Sequence, residues 1–237
     1  GTKNLADLAL HYQVKKFVMV STDKAVNPSN VMGVSKRIAE KYVQSLHYKN
    51  CNAVAPQTKF ITTRFGNVLG SNGSVVPLFK KQIKAGGPIT ITHPDIIRYF
   101  MTIPEACQLV LEAGGMGNGG EIYIFDMGKP VKIIDLAKKM IQLAGYEPDN
   151  EIKIKIVGLR PGEKLYEELL NDCSKTLPTH HKKIMISQEQ EEDYESVLAS
   201  INDLVRLEKQ DVEMVQAMKQ IVTEYKSLNS VYEHLDN

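Results

Sequence analysis

Two short apolar runs, each preceded by a segment with helical periodicity, constrain the fold of this chain more than any other feature. The runs are residues 17–21 and 60–63. An amphipathic pattern over residues 3–13 predicts a helix before the first run, and residues 31–48 predict a long helix before the second. Helices alternating with buried strands are typical of a parallel, doubly wound sheet. We therefore predict an α/β fold.

After Gly66 the chain is interrupted more often by glycine and proline. Further elements are predicted as strands at 89–92, 121–125 and 151–157, helices at 103–113 and 133–144, and two polar helices between Asp193 and Lys226. The acidic run 189–195 is interpreted as a solvated face. We expect residues 1–70, with 103–127 returning to the same sheet, to form the second half of a Rossmann-type domain. Residues 71–237 would form a smaller, mixed α/β domain.

Composition argues against several classes of function. The 237 residues carry 29 Lys and Arg against 28 Asp and Glu, so no broad basic surface is available for nucleic acid. The three cysteines form no C-x-x-C pair, which argues against a zinc site and favours a reducing, cytoplasmic compartment. No apolar run approaches the ~18–20 residues that cross a bilayer, so we expect no membrane contact from this segment.

Residues 115–120 match the G-x-G-x-x-G pattern of a dinucleotide-binding loop, but they stand in the wrong context. Such a loop follows a strand and opens a helix, so that the helix N-terminus faces a pyrophosphate. Here a predicted helix precedes the glycines and a predicted strand follows them, so we interpret the segment as an ordinary connection. Because the half-sheet has no other phosphate loop and the chain opens on Gly1-Thr2, we expect the first half of this domain to lie upstream.

Polar side chains follow the first predicted strand directly. Residues 21–24 are Ser-Thr-Asp-Lys, so a hydroxyl, a carboxylate and an amine stand where open α/β sheets bind ligands. Met32 and Lys36 lie four residues apart and share one face of the following helix. Taken alone, the same residues also fit a surface ion pair at a strand end and ordinary helix packing.

Several motifs in a consistent order resemble one family. The strand and helix of residues 17–36 look like those of the extended short-chain dehydrogenase/reductases, whose helix usually carries Tyr-x-x-x-Lys; here Met32 stands at the Tyr position. Ser-Thr-Asp-Lys combined with Met-x-x-x-Lys is similar to the UDP-N-acetylglucosamine 4,6-dehydratases of bacterial surface-polysaccharide synthesis. The match continues through residues 64–75, 97–102 and 160–164, so it covers essentially the whole chain.

This resemblance implies an NAD-dependent lyase. Oxidation of the sugar at C4 acidifies the C5 proton, a base removes that proton as an acid protonates the departing 6-hydroxyl, and hydride then returns to C6. By analogy Thr22 would bind the C4 hydroxyl, Asp23 would be the acid and Lys24 the C5 base. Lys36, with Ser21, would face the cofactor.

The remaining motifs are assigned by the resemblance to the UDP-sugar substrate, which the 71–237 domain would bind. Asn67 resembles the residue that contacts the diphosphate, and Ser74 is assigned to the substrate as well. Arg98 and Arg160 offer forked donors to phosphate, and Glu163 could accept from ribose hydroxyls. Without the resemblance, the two arginines could equally belong to surface ion pairs.

Met32 departs from the usual tyrosine, which takes the proton of the C4 hydroxyl. Methionine has no proton to exchange, so the C4 base is left open between Asp23 and a water held by Thr22. Two other functions stay open: a nucleotide-sugar 4-epimerase or reductase of the same superfamily, which would keep the tyrosine, and a non-catalytic nucleotide-sugar-binding module.

The resemblance also implies a cellular setting. We expect a homo-oligomer that works in the cytoplasm without nucleic acid. Relatives with methionine at this position usually carry an upstream membrane-spanning region, so the parent protein is expected to be anchored in the inner membrane.

Overall fold

The computed structural model describes residues 1–51, 58–168, 176–207 and 211–236. The strands are β1 Lys16–Val20, β2 Lys59–Arg64, β3 Asn67–Val68, β4 Ile89–Ile91, β5 Ile97–Arg98, β6 Phe100–Met101, β7 Ile122–Phe125, β8 Val131–Lys132, β9 Ile154–Ile156, β10 Thr176–Pro178 and β11 Ile184–Ser187. The α-helices are α1 Thr2–His11, α2 Val31–Asn50, α3 Val75–Lys84, α4 Ile103–Met116, α5 Ile133–Leu143, α6 Tyr194–Arg206 and α7 Asp211–Ile221. Every helix and strand predicted from the sequence is present. Within the described ranges, no helix is long and apolar enough to cross a membrane.

A five-stranded sheet in the order β1-β2-β7-β11-β10 forms the centre of the protein. Strands β1, β2 and β7 run parallel, which confirms the predicted half-sheet. Strand β11 pairs antiparallel with β7, and β10 pairs antiparallel with β11. The sheet is therefore mixed, because a hairpin that was not predicted extends one edge.

Helices cover both faces of this sheet, as a doubly wound fold requires. Successive strand residues point to opposite faces, so Phe60 and Ile61 of β2 belong to different cores. Phe60 packs with Tyr42 of α2, and Ile61 packs with Leu109 of α4. Helices α6 and α7 join the α2 side, where Val197 and other apolar residues complete the layer. Each face thus buries one apolar layer, which provides the main favourable free energy of folding.

A third apolar cluster lies in the part of the chain that follows Gly70. It is built from α3, β4, α5 and β9 and contains Phe79, Ile83, Ile89, Ile91, Ala137, Ile141 and Ile152. Strand β4 pairs in parallel with β9. The division at residue 70 stays a prediction; β11, α6 and α7, which follow it in sequence, pack with the central sheet and α2.

The glycine-rich segment 115–120 connects the end of α4 to β7, as predicted. Gly119 and Gly120 have positive φ angles and lie against the ring of His47. A Cβ atom on Gly119 would collide with that ring. The Gly120 N–H donates to the Phe60 carbonyl at 2.7 Å. Close packing and backbone conformation therefore explain these glycines.

The acidic run does not form a solvated face throughout, and that prediction is wrong for Glu189. Its carboxylate accepts from Arg64 and Arg37 at 2.8 Å each. Arg64 also donates to both oxygens of Glu40, a fully buried residue of α2, at 2.8 and 2.5 Å. The first residue of the run, Glu189, therefore lies beside two buried guanidinium groups. A charged group that is removed from water on folding is stabilised by such oppositely charged partners.

These contacts determine the protonation of the carboxylates. Burial alone would raise the pKa of Glu189, but Arg64 and Arg37 lower it to about 2. Burial would likewise raise the pKa of Glu40, and Arg64 holds it below the usual value. Both groups therefore stay charged at neutral pH, and they join β2, α2 and the segment after β11.

We expect Glu189→Gln to lower the free energy of unfolding at pH 7 by roughly 2–3 kcal/mol, since the variant loses a carboxylate whose pKa folding depresses. That stabilisation is complete above the unfolded pKa near 4.5 and is lost as the pH falls toward about 2. Urea unfolding of both proteins should therefore show a difference that shrinks over this range. Glu191→Gln, at an exposed position of the same run, is the matched control and should change stability by less than about 0.5 kcal/mol.

Candidate active site

The ends of β1 and β2 hold the predicted polar cluster in place. The N–H groups of Ser21 and Asp23 donate to backbone carbonyls at the end of β2 and just beyond it, at 2.7 and 3.2 Å. The Thr22 hydroxyl accepts from the Lys24 N–H at 3.4 Å, at the start of the 3₁₀ turn Asp23–Ala25. Residues 21–24 are therefore positioned by backbone bonds at the carboxyl edge of the parallel strands.

Asp23 is fully buried, and one of its oxygens accepts two hydrogen bonds. Oδ1 accepts from Thr22 Oγ1 at 2.8 Å and from Lys24 Nζ at 2.9 Å. Two donors, a hydroxyl and an amine, therefore converge on this oxygen. Oδ2 is buried without a hydrogen-bond partner in the described structure; a Cβ on Gly66 would lie only 3.0 Å from it. Asp23 therefore has one occupied and one free oxygen.

The Lys24 amine faces three oxygen atoms from different parts of the chain. Asp23 Oδ1 is at 2.9 Å, Asn67 Oδ1 at 3.4 Å and Glu167 Oε1 at 3.9 Å. The Asn67 amide is oriented by its own Nδ2, which donates to the Tyr99 carbonyl at 3.3 Å. Lys24 is therefore held between two carboxylates and an amide oxygen.

Met32 and Lys36 share one face of α2 but contact different parts of the site. The Met32 side chain is 48% exposed and lies on the wall of a cavity that Lys24 also lines. Lys36 Nζ instead donates to the Val20 carbonyl, at the end of β1, at 3.3 Å. Lys36 therefore lies at the strand end where ligands of open α/β sheets bind.

This cavity has a volume of about 400 Å³ and brings together most of the predicted site residues. Seven of them line it: Lys24, Met32, Asn67, Ser74, Arg98, Arg160 and Glu163. Asp23 and Thr22 do not line the cavity, but Asp23 contacts both Thr22 and Lys24. Ser21 is buried beside Glu40. Part of the wall is apolar, formed by Leu78, Phe79, Ile91, Ile96, Phe100 and Ile133. The cavity lining thus combines charged residues, including Lys24, with apolar residues that include two from α3.

The two predicted arginines, Arg98 and Arg160, differ in the contacts that their guanidinium groups already make. The buried Arg98 donates from Nη1 to the Ile97 carbonyl at 2.7 Å and the Leu165 carbonyl at 3.2 Å, and its Nη2 lies 3.5 Å from Glu163. The exposed Arg160 makes no ion pair with any described residue. Arg160 therefore has its whole guanidinium available to a ligand, whereas Arg98 already supports the loop around it.

Asn30, which was not among the predicted site residues, connects two walls of the cavity. Its Oδ1 accepts from the Gly33 N–H at 2.8 Å and so caps α2. Its Nδ2 donates to the Gly162 carbonyl at 3.0 Å, which Ser29 Oγ also contacts at 2.7 Å. An N-cap asparagine was detectable from the sequence, but its second partner follows Arg160 and depends on tertiary packing.

Glu167 was also missed and lies beside Lys24. It lines the cavity, is buried, and approaches Arg98 Nη2 at 3.7 Å. Burial raises the pKa of Glu167, and the charge of Asp23 acts in the same direction, whereas Lys24 and Arg98 oppose the change. In the sequence, Glu167 and Glu168 form an acidic pair that is typical of exposed loops, so no local signal distinguishes the buried one.

Curated proteins of related sequence come from polysaccharide and nucleotide-sugar metabolism. The chain is 62% identical over 171 residues to the capsular polysaccharide biosynthesis protein CapD of Staphylococcus aureus, a match of 72% of this chain and 28% of CapD. It is 39% identical over 171 residues to the UDP-glucose 4-epimerase of Rickettsia rickettsii, or 72% of this chain and 48% of that enzyme. The chain therefore spans less than half the length of either relative.

Solved structures share the fold. Pen from Bacillus thuringiensis superposes with a TM-score of 0.71 and 32% identity, over 85% of this chain and 66% of that chain. The dTDP-glucose 4,6-dehydratase of Bacillus anthracis, solved with NAD, gives a TM-score of 0.57 and 19% identity, over 66% and 54% of the two chains. At such low identity the second structure supports the fold alone, which is the predicted Rossmann-type α/β fold.

A family profile covers most of the sequence. The profile described as polysaccharide biosynthesis protein matches residues 1–189. With the identity to CapD, this match confirms the family suggested by the motifs. The chain belongs to the polysaccharide biosynthesis protein family.

Proposed function

We propose that this chain is the substrate-binding and catalytic part of an NAD-dependent enzyme that dehydrates a UDP-N-acetylhexosamine, with UDP-N-acetylglucosamine as the expected substrate. The observation that carries the proposal is the hydrogen-bonded group Thr22–Asp23–Lys24 beside a cavity of about 400 Å³. Small-molecule sites are typically ~300–1,000 Å³ in volume. An acid and a base in contact are needed for elimination of water and are not needed for binding alone.

Lys24 is the member of this group that lines the cavity, so we assign it as the base for the C5 proton. Asp23 is assigned as the acid that protonates the departing 6-hydroxyl. The Thr22 hydroxyl, which donates to Asp23 Oδ1, offers a path by which the C4 hydroxyl proton reaches Asp23. That path supports Asp23, acting through Thr22, as the C4 base in place of the tyrosine that Met32 replaces.

NAD fits the same edge of the sheet. Lys36 Nζ lies at the end of β1, where it would hold the nicotinamide ribose, and Ser21 is the adjacent strand-end residue. When bound there, NAD would supply the redox chemistry, by accepting hydride from C4 of the sugar and giving it to C6.

Other residues that line the cavity suit a nucleoside diphosphate. Helix α3 begins beside the cavity, after Ser74, and the positive end of a helix dipole favours phosphate. Ser74 Oγ, at that helix start, is buried without a hydrogen-bond partner in the described structure and can donate to an oxygen of the ligand. Arg160 can neutralise the diphosphate and Glu163 can accept from the ribose. Asn67, 3.4 Å from Lys24 Nζ, is assigned to the diphosphate by the resemblance.

A 4-epimerase is the second candidate, because one relative with 39% identity carries that name. Epimerisation at C4 needs no acid beside a C5 base, and in this superfamily it uses the tyrosine that is Met32 here. The Asp23–Lys24 contact at 2.9 Å therefore favours dehydration. A non-catalytic binding module explains the cavity but gives the pair no role. The expected homo-oligomer, the cytoplasmic location and the membrane anchor of a longer parent stay predictions.

The chain by itself should bind UDP but not NAD⁺ at micromolar concentrations. The proposed UDP contacts lie within it, whereas no G-x-G-x-x-G segment of its sequence follows a strand and opens a helix. Calorimetric titration with each ligand tests this, and UDP serves as the positive control for a folded cavity. Micromolar binding of NAD⁺ to residues 1–237 would contradict the assignment of the cofactor phosphates to another part of the protein.

In a protein restored to the length of its relatives, Asp23→Asn and Lys24→Ala should each abolish the 4-keto-6-deoxy product while UDP-sugar binding survives. A transition-state acid or base contributes ~10²–10⁴ in rate, so we expect at least a hundredfold loss of kcat. Arg160→Ala should instead raise KM first. Matched controls are Asp203→Asn and Lys49→Ala, at exposed positions of α6 and α2. Losses below fivefold in both active-site variants would refute the assignment.

The product should retain the configuration at C5. After water leaves, the planar intermediate must be protonated at C5, and the Lys24 ammonium stands on the face from which it took the proton. Met32, on the cavity wall, has no proton to supply from another direction. Proton NMR of fresh product should therefore show the D-xylo 4-keto sugar. Mainly L-arabino product at early times would show that another donor acts.

A further inference from the structure

The proposed dehydration leaves one proton without a place in the Thr22–Asp23–Lys24 group. In the resting contact Lys24 is an ammonium and Asp23 a carboxylate. When the C4 hydroxyl is oxidised, its proton passes through Thr22 to Asp23, which becomes the neutral acid. Lys24 still carries its own proton and cannot act as a base. One further group must accept the Lys24 proton.

A tyrosine at position 32 would relieve this shortage, since a phenol can take the C4 proton in place of Asp23. Here Met32 cannot, so another acceptor is needed within reach of Lys24. Among the described residues that line the cavity, the two carboxylates are Glu163 and Glu167. Glu163 pairs with Arg98 at 3.5 Å, and among the described ion pairs Lys24 contacts Glu167 and not Glu163.

We propose that Glu167 is the proton-holding residue of this site, which takes the Lys24 proton before elimination and returns it afterwards. Glu167 Oε1 lies 3.9 Å from Lys24 Nζ, a gap that a small side-chain rotation closes to hydrogen-bond length. Oε1 is also 3.7 Å from Arg98 Nη2, which orients the carboxylate toward the cavity. This inference rests on the proposed function, since only a lysine that works as a base has to lose a proton.

The proton balance closes over one turnover. The C4 hydroxyl proton moves to Asp23, and the Lys24 proton moves to Glu167. Lys24 then removes the C5 proton while Asp23 protonates the C6 oxygen, which leaves as water. As hydride returns to C6, the Lys24 ammonium protonates C5 and becomes a neutral amine. Glu167 finally returns its proton, and the resting ammonium and two carboxylates are restored.

The surroundings of Glu167 favour this exchange. Burial, the largest influence, raises the pKa of the carboxyl, and the nearby charge of Asp23 acts in the same direction. Lys24, Arg98 and Lys164 are the cations that face it, and they keep the carboxylate accessible at rest. A buried carboxyl between these influences can hold a proton for part of a cycle without a large change in free energy.

The test is steady-state kinetics of the length-restored protein with Glu167→Gln. We expect kcat to fall by at least about tenfold while KM for the UDP-sugar changes less than threefold. Glu168→Gln is the matched control: its carboxylate is exposed and contacts Asn27 and Lys164, so both constants should stay within twofold. Glu167→Asp keeps a carboxylate and should recover part of kcat.

Chemical rescue separates proton holding from a structural role. In Glu167→Ala, added formate should restore turnover in a concentration-dependent way, because a small carboxylate can occupy the space and accept the proton. Formate should have no effect on Lys24→Ala. If Glu167→Gln turns over like Glu168→Gln, or if no carboxylate rescues a folded Glu167→Ala protein, the proposal is overturned. An inactive wild-type protein would instead refute the proposed function.

Discussion

The buried ion pair between Arg64 and Glu40 determines how the sheet and its main helix fit together. Arg64 ends β2, and Glu40 lies in the middle of α2, so the two-point contact sets the rotation and height of the helix over the strand. Met32 and Lys36 lie on that helix, and the chain after Arg64 leads to Asn67. A buried pair contributes little net stability compared with apolar packing, but it allows few alternative arrangements. The placement of Met32, Lys36 and Asn67 relative to one another depends on that arrangement.

The site itself is an arrangement of charges that nearly cancel. Lys24 faces Asp23 and Glu167, and Arg98 faces Glu163 and Glu167. Such a set needs little solvent to be stable, so it can remain ordered when substrate excludes water. It also allows protons to move between neighbours without the separation of large charges. This property suits a reaction in which three protons change position within one cavity.

Local patterns predicted the parts of the protein that local sequence determines. The strands and helices around residues 17–63, and the contact of the adjacent Asp23 and Lys24, depend on residues close in the chain. Glu167 could not be predicted in the same way, because it reaches Lys24 only after the loop that follows β9 folds over the cavity. The pairing of β11 with β7 was missed because Thr176–Pro178 and Ile184–Ser187 are short and flanked by polar residues. Glu189 looked solvated because its partners, Arg64 and Arg37, are distant in sequence.

Asn30 links two walls of the cavity, the first turn of α2 and the loop that carries Arg160. One oxygen of its amide caps α2, and the nitrogen holds the carbonyl of Gly162, two residues beyond Arg160. A displacement of the loop by a bound diphosphate would therefore act on the first turn of the helix that carries Met32 and Lys36. Because the Asn30 amide is planar and rigid, its two hydrogen-bond partners keep a fixed spacing. A ligand that moves the loop at Arg160 would thus shift the start of α2, and with it Met32 and Lys36, without touching that helix.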